Sequence, residues 1–169
     1  CNLAELTILF IGVLLAPFLG WQVPVLLALQ ILFMNLVTDN LPAITLGFNP
    51  SSADVMNEKP RRKAEILDKK LIILLVFTGL ILAFLTLSSV YISFNIFNNN
   101  FEYSRTVALV SLIMLEIASA FNFRSFRKGV LTRSPLINKP LFYLSLVSVI
   151  ATFIILYTSL NTIFEVVPL

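Results

Sequence analysis

The chain has 169 residues, of which 58% are hydrophobic and 12% charged, a balance well to the apolar side of an ordinary soluble domain. That composition excludes a water-soluble globule and points to an all-α, polytopic integral membrane protein, with the lipid bilayer as its main partner and no nucleic-acid partner expected. A net charge of +3 matters less than where the charges fall; the absence of His removes the commonest transition-metal ligand, and Cys1 alone cannot form an internal disulfide.

The chain opens on Cys1-Asn2 without a charged leader or a cleavage pattern, so it reads as part of something longer and not as a secretory signal. Five apolar stretches follow, and the predicted fold is a transmembrane helix bundle of about five spans, treated as one domain over residues 1–169. The first span, residues 3–20, carries Pro17 and Gly20 and is short unless its helix begins upstream. Trp21 to Val23 read as a very tight turn, and Pro24 suits the start of the second span, residues 25–48. A polar segment, residues 49–70, leads to the third span at 71–94. An Asn-rich turn, residues 95–104, joins it to the fourth at 106–123. A second basic loop, residues 124–139, precedes the fifth span at 141–160, and a short tail ends on Val-Val-Pro-Leu.

Lys and Arg concentrate in the loops 49–70 and 124–139, while the opposite side carries Arg105 at a span end. By the positive-inside rule both basic loops are cytoplasmic. The N-terminus is then cytoplasmic and the C-terminus outside. No internal repeat of the kind found in duplicated transporters is present.

Glu5, Asp39 and Glu116 fall in or at apolar spans, and no Lys or Arg sits mid-span to pair with them. A carboxylate at mid-membrane costs roughly 2.5–3.5 kcal/mol on insertion scales, so three of them require a cation, protons or a water cavity. Asn2 and Glu5 stand at i, i+3 on the first span, and Asn35, Thr38 and Asp39 at i, i+3, i+4 on the second. Each set therefore shares a helix face. Pro42 cannot donate a backbone bond and loosens the turn before it. The donor set is all oxygen, which suits a hard cation such as Ca²⁺ better than zinc or copper; Mg²⁺, Na⁺ or K⁺ would also be served.

Each residue also has a plainer reading. Asn2, Asn35 and Thr38 could be hydrogen-bonding glue between helices. Glu5 alone reads as a headgroup-region residue, and Ser111 and Ser119 as packing residues. Taken as one cluster, the acids favour an ion site.

Asn35–Ala43 (NLVTDNLPA), followed by Gly47-Phe48-Asn49-Pro50 and by Asp54-Val55-Met56 with Pro60-Arg61, closely resembles P-type cation-transporting ATPases of the calcium-pump class. Asn2 to Glu5 resembles the ligand end of that family's fifth membrane helix, and Glu116 to Asn122 its eighth. The resemblance implies that the five spans are helices five to nine of ten. It implies Asn2, Glu5, Thr38, Asp39 and Glu116 as ligands of one cation site, with Asn35 and Asp39 serving a second. Asn40 departs from the Gly that many calcium pumps carry there.

The family's chemistry is phosphoryl transfer from ATP, with Mg²⁺, to an aspartate in a DKTGT motif, and this sequence contains no such motif. The expected role is therefore the transport half of an ATP-driven pump, most simply for Ca²⁺ though Na⁺ or H⁺ fit the pattern. Its partners would be the remaining domains and helices of the same polypeptide. A passive cation channel or secondary transporter using the same carboxylates is the alternative, and a purely structural membrane module a third.

Overall fold

The computed structural model describes residues 2–48, 69–97, 100–123 and 138–169. The two basic loops on which the orientation rests fall almost wholly outside the described residues. The described helices are α1 (Asn2–Leu19), α2 (Ala28–Phe33), a π-helical turn (Met34–Asp39), α3 (Asn40–Leu46), α4 (Lys69–Ile96), α5 (Phe101–Phe123), α6 (Lys139–Tyr157) and α7 (Asn161–Phe164). With α2, the π turn and α3 counted as one span (Ala28–Leu46), five helical segments among the described residues are long and apolar enough to cross a membrane.

The helix ends follow from local chemistry, and they move several of the expected boundaries. α1 stops at Gly20, whose φ of 68° suits a residue without Cβ, and Trp21 N–H reaches back to the Ala16 carbonyl at 3.1 Å. The connection after it is longer than the tight turn expected: residues 21–27 are non-helical, and the second span begins at Ala28 instead of 25 and ends at Leu46 instead of 48. The reason is burial. Trp21, Val25 and Leu26 are packed into the core there, and the Leu27 N–H is taken by Gln30 Oε1 at 3.1 Å.

The fourth span also starts earlier than expected, at Phe101 and not 106. Asn100 caps it, accepting from Tyr103 N–H at 3.2 Å. Arg105, whose charge suggested a span end, is buried with its guanidinium 5.3 Å over the Phe101 ring. The fifth span runs Lys139–Tyr157 and not 141–160, capped by Asn138, which accepts from Leu141 N–H at 3.1 Å. The tail beyond it turns back as α7, with Val166 buried and Val167 N–H donating to Thr106 Oγ1 at 2.9 Å.

Packing is tight where residues are small. Ala4, Ala83 and Ala108 are buried, and a Cβ on Gly79 would stand 3.0–3.3 Å from the Leu3 side chain. Such contacts let α4 approach α1 and α5 closely, which is how membrane helices associate without a hydrophobic drive. Ile8, Met34, Val90, Leu109, Leu112 and Ile113 fill the centre. Large apolar side chains such as Phe10, Phe18, Ile73, Phe77 and Phe84 point outward, the arrangement that suits a lipid solvent. Gly12 is the tightest point: a Cβ there would lie 2.6 Å from Val25 Cγ2. Gly12→Leu should therefore push α1 off the 21–27 connection, costing about 1–3 kcal/mol and lowering the melting temperature of the purified protein in detergent; an unchanged melt would contradict this packing.

Candidate functional site

The π turn is the irregular feature of the second span. Position 42 supplies no N–H, so it serves neither the Thr38 carbonyl four residues back nor the Val37 carbonyl five back. The ladder before it widens into i→i+5 bonding over Met34–Asp39. Side chains take up part of the slack: Thr38 Oγ1 donates to the Met34 carbonyl at 2.8 Å, and Asn35 Nδ2 to the Ile31 carbonyl at 3.1 Å.

This turn carries Asp39 into a cluster with two acids from other helices. One carboxylate oxygen each from Glu5 on α1, Asp39 on the π turn and Glu116 on α5 lie within 4.8 Å of one another. Glu5 and Glu116 are 4% and 3% exposed, so burial overturns the headgroup-region reading of Glu5. Its reason is visible in the bond from Asn35 Nδ2 to Glu5 Oε2 at 3.0 Å, which ties α1 to the second span. Glu5 Oε1 and both Glu116 oxygens are buried with no hydrogen-bond partner among the described residues.

Beside the acids is a hollow of about 230 Å³, lined by Asn2, Asn35, Thr38, Asp39, Glu116 and Ser119, with Asn40 and Pro42 at its wall. Asn2 is exposed and Thr38 buried. Of the six residues expected to act together, five line the hollow and the sixth, Glu5, meets it through Asn35 and the acid cluster. Ser119, read from sequence as packing, has its buried Oγ unpartnered and lines the hollow one turn from Glu116. The i, i+3 spacing to Glu116 was the signal for it. Two larger cavities, of about 880 and 540 Å³, have mostly apolar linings with no carboxylate among the described residues, and one of about 310 Å³ holds Glu102 and Glu165 beside Arg105.

Geometry and charge point the same way. Oxygens bound to one Ca²⁺ at 2.3–2.6 Å can be no farther apart than about 5 Å, and the three acids meet that limit. Among the described residues no Lys or Arg lines the hollow. Two ionised carboxylates at such spacing repel by on the order of 3 kcal/mol at an effective dielectric of about 20. A cation or protons in such a cluster would relieve that repulsion.

Residues 23–169 match the family model described as cation transporting ATPase, C-terminus. The chain belongs to this family. It is a multi-pass integral membrane member of the cation-transporting ATPases, 33% identical over 165 residues to calcium-transporting ATPase 1 of Bacillus cereus, an alignment covering 89% of this chain and 18% of that protein. It is 31% identical over 157 residues to the calcium-transporting ATPase of Bacillus subtilis, covering 92% of this chain and 17% of the relative. A Listeria monocytogenes calcium-transporting ATPase is 36% identical over 116 residues, covering 68% of this chain and 13% of its own length. The chain spans less than a fifth of the length of these curated relatives. All three are named as ATPases, and none as a channel or a secondary transporter.

The Asn35–Glu5 bond should be measurable as coupling. In a double-mutant cycle of Asn35→Ala and Glu5→Gln, the pair should show about 1 kcal/mol of interaction in thermal stability; strict additivity would place the two side chains apart.

Proposed function

We propose that this chain is the membrane half of an ATP-driven Ca²⁺ pump and that the hollow is its transport site. The observation that supports the reading above all is the convergence of Glu5, Asp39 and Glu116 from three separate spans within 4.8 Å. Glu5, Asp39 and Glu116 supply charge, Asn2 and Asn35 amide oxygens, and Thr38 a hydroxyl, an all-oxygen set for a hard cation. Asn2, Glu5, Thr38, Asp39 and Glu116 hold one ion, and Asn35 with Asp39 contributes to a second. In this reading the single domain runs over residues 1–169, with loops 49–70 and 124–139 on the cytoplasmic side.

Mg²⁺, ATP and the phosphorylated aspartate belong to the remaining domains of the same polypeptide. What this chain supplies is a site whose affinity differs between two states. A change of about 4–5 kcal/mol between them alters affinity on the order of 10³-fold, and moving one or two carboxylates out of a shared shell is enough to produce it. After the ion leaves, the acids of the cluster stay crowded in a poor solvent, and protons replace it.

In the intact pump, Asp39→Asn or Glu116→Gln should lower the apparent Ca²⁺ affinity of the ATPase at least tenfold. Retention of normal calcium activation in both variants would contradict the site. Stimulation by Na⁺ in place of Ca²⁺ would reassign the ion. Purified pump in sealed vesicles should also move protons against Ca²⁺, seen with a trapped pH dye and an ionophore to hold the membrane potential; calcium uptake with no proton movement would refute the exchange.

A further inference from the structure

The π turn that carries Asn35 and Asp39 is held from outside its own helix by a span that contributes nothing to the acid cluster. The buried face of α6 bears Ser145, Ser148 and Thr152, at 4%, 0% and 2% exposure. Hydroxyls on a membrane helix are normally absorbed by the carbonyl one turn back. Thr152 does this, donating to the Ser148 carbonyl at 2.9 Å. Ser148 does more: its Oγ lies 3.1 Å from the Leu144 carbonyl of its own helix and 3.1 Å from the carbonyl of Val37. Val37 is inside the π turn, two residues from both Asn35 and Asp39, and its carbonyl is one of the two that Pro42 cannot serve. A second tie from the start of α6, Asn138 Nδ2 to the Thr45 carbonyl at 2.9 Å, fixes the far end of α3. Ser145 Oγ, one turn from Ser148 on the same face, has no partner among the described residues.

We propose that Ser148 is a positioning residue for cation binding: by bonding the Val37 carbonyl it fixes the register of the π turn and so the placement of Asn35 and Asp39. The inference rests on the transport-site reading above and extends it to a residue outside the ligand set. Its chemistry suits a site that has to change affinity. A hydroxyl carries a single proton, and here two carbonyls stand at equal distance from it. Rotation about the Cβ–Oγ bond moves that proton from Val37 to Leu144 and back without leaving a buried donor unpaired. The tie can therefore be made when the site is tight and released when the π turn shifts, at little cost in either state.

The test is the calcium dependence of ATPase activity in the intact pump carrying Ser148→Ala, Ser148→Thr, Ser145→Ala or Asp39→Asn. Ser148→Ala should reduce apparent Ca²⁺ affinity about threefold to tenfold, the range expected for one interhelical hydrogen bond in a membrane. Maximal turnover and melting temperature should stay close to those of the parent. Ser148→Thr, which keeps the hydroxyl, should restore affinity. Ser145→Ala, which removes an unpartnered hydroxyl of the same size from the same face, should leave affinity unchanged. Unaltered affinity in Ser148→Ala while Asp39→Asn loses its calcium response would overturn the positioning role and leave the transport site standing. Equal shifts in Ser148→Ala and Ser145→Ala, or a fall in turnover and melting temperature without a change in affinity, would mark a packing role and overturn it as well. Normal calcium activation in Asp39→Asn would remove the transport site and this inference together.

Discussion

Three carboxylates held together in a medium that solvates charge poorly are the constraint around which this bundle is arranged. Glu5, Asp39 and Glu116 come from α1, the π turn and α5, and their oxygens lie within 4.8 Å of one another. Arg105, the buried basic residue among those described, shares a separate pocket with Glu102 and Glu165, and no described basic residue lines the acid hollow. Packing for stability alone would have replaced such acids with apolar side chains at no loss. The proposed transport site accounts for their presence at the meeting of three helices, and the surrounding structure keeps them converged. Small residues bring α1, α4 and α5 close. The Gly20 turn and the 21–27 connection, seated by buried Trp21, Val25 and Leu26, return the chain so that Asn35 meets Glu5.

The same need accounts for the polar bonds made far along the second span. An apolar membrane helix needs no lateral anchors, yet among the described residues this one has three besides the Asn35–Glu5 bond. Gln30, fully buried, accepts from Leu27 N–H and donates to the Phe164 carbonyl at 2.9 Å, joining the span's beginning to α7. Ser148 reaches Val37 in the middle, and Asn138 reaches Thr45 at the end. A helix interrupted by a π turn has lost some of its own ladder, and its neighbours supply bonds where the ladder is weakest. The irregular turn can then persist at mid-membrane and still present Asp39 at a fixed place.

Much of this was legible in the residues. Apolar runs of the right length mark five spans, and acids inside spans that carry no Lys or Arg at mid-length mark the site. The i, i+3, i+4 spacing of Asn35, Thr38 and Asp39 put them on one side of a helix, and Pro42 announced a disturbed ladder. The form of that disturbance was not legible, because a proline says which bonds are missing and not how the preceding turn rearranges. Boundaries were misjudged where tertiary burial overrode charge and turn chemistry: Arg105 is covered by Phe101 within a helix, and Val25 and Leu26 are core residues outside one. Glu5 looked exposed because its partner, Asn35, is 30 residues away in sequence. Ser148 and Gln30 carried no signal at all, since a lone hydroxyl or amide in an apolar span gives no hint of which distant carbonyl it meets.

The most direct test of the central claim is a crystal structure of the full-length protein in Ca²⁺, with the ion located by its anomalous scattering. An ion peak is expected in the hollow, with oxygens of Glu5, Asp39 and Glu116 at about 2.3–2.6 Å. A calcium peak elsewhere in the bilayer, with these three side chains turned apart and facing lipid, would contradict it.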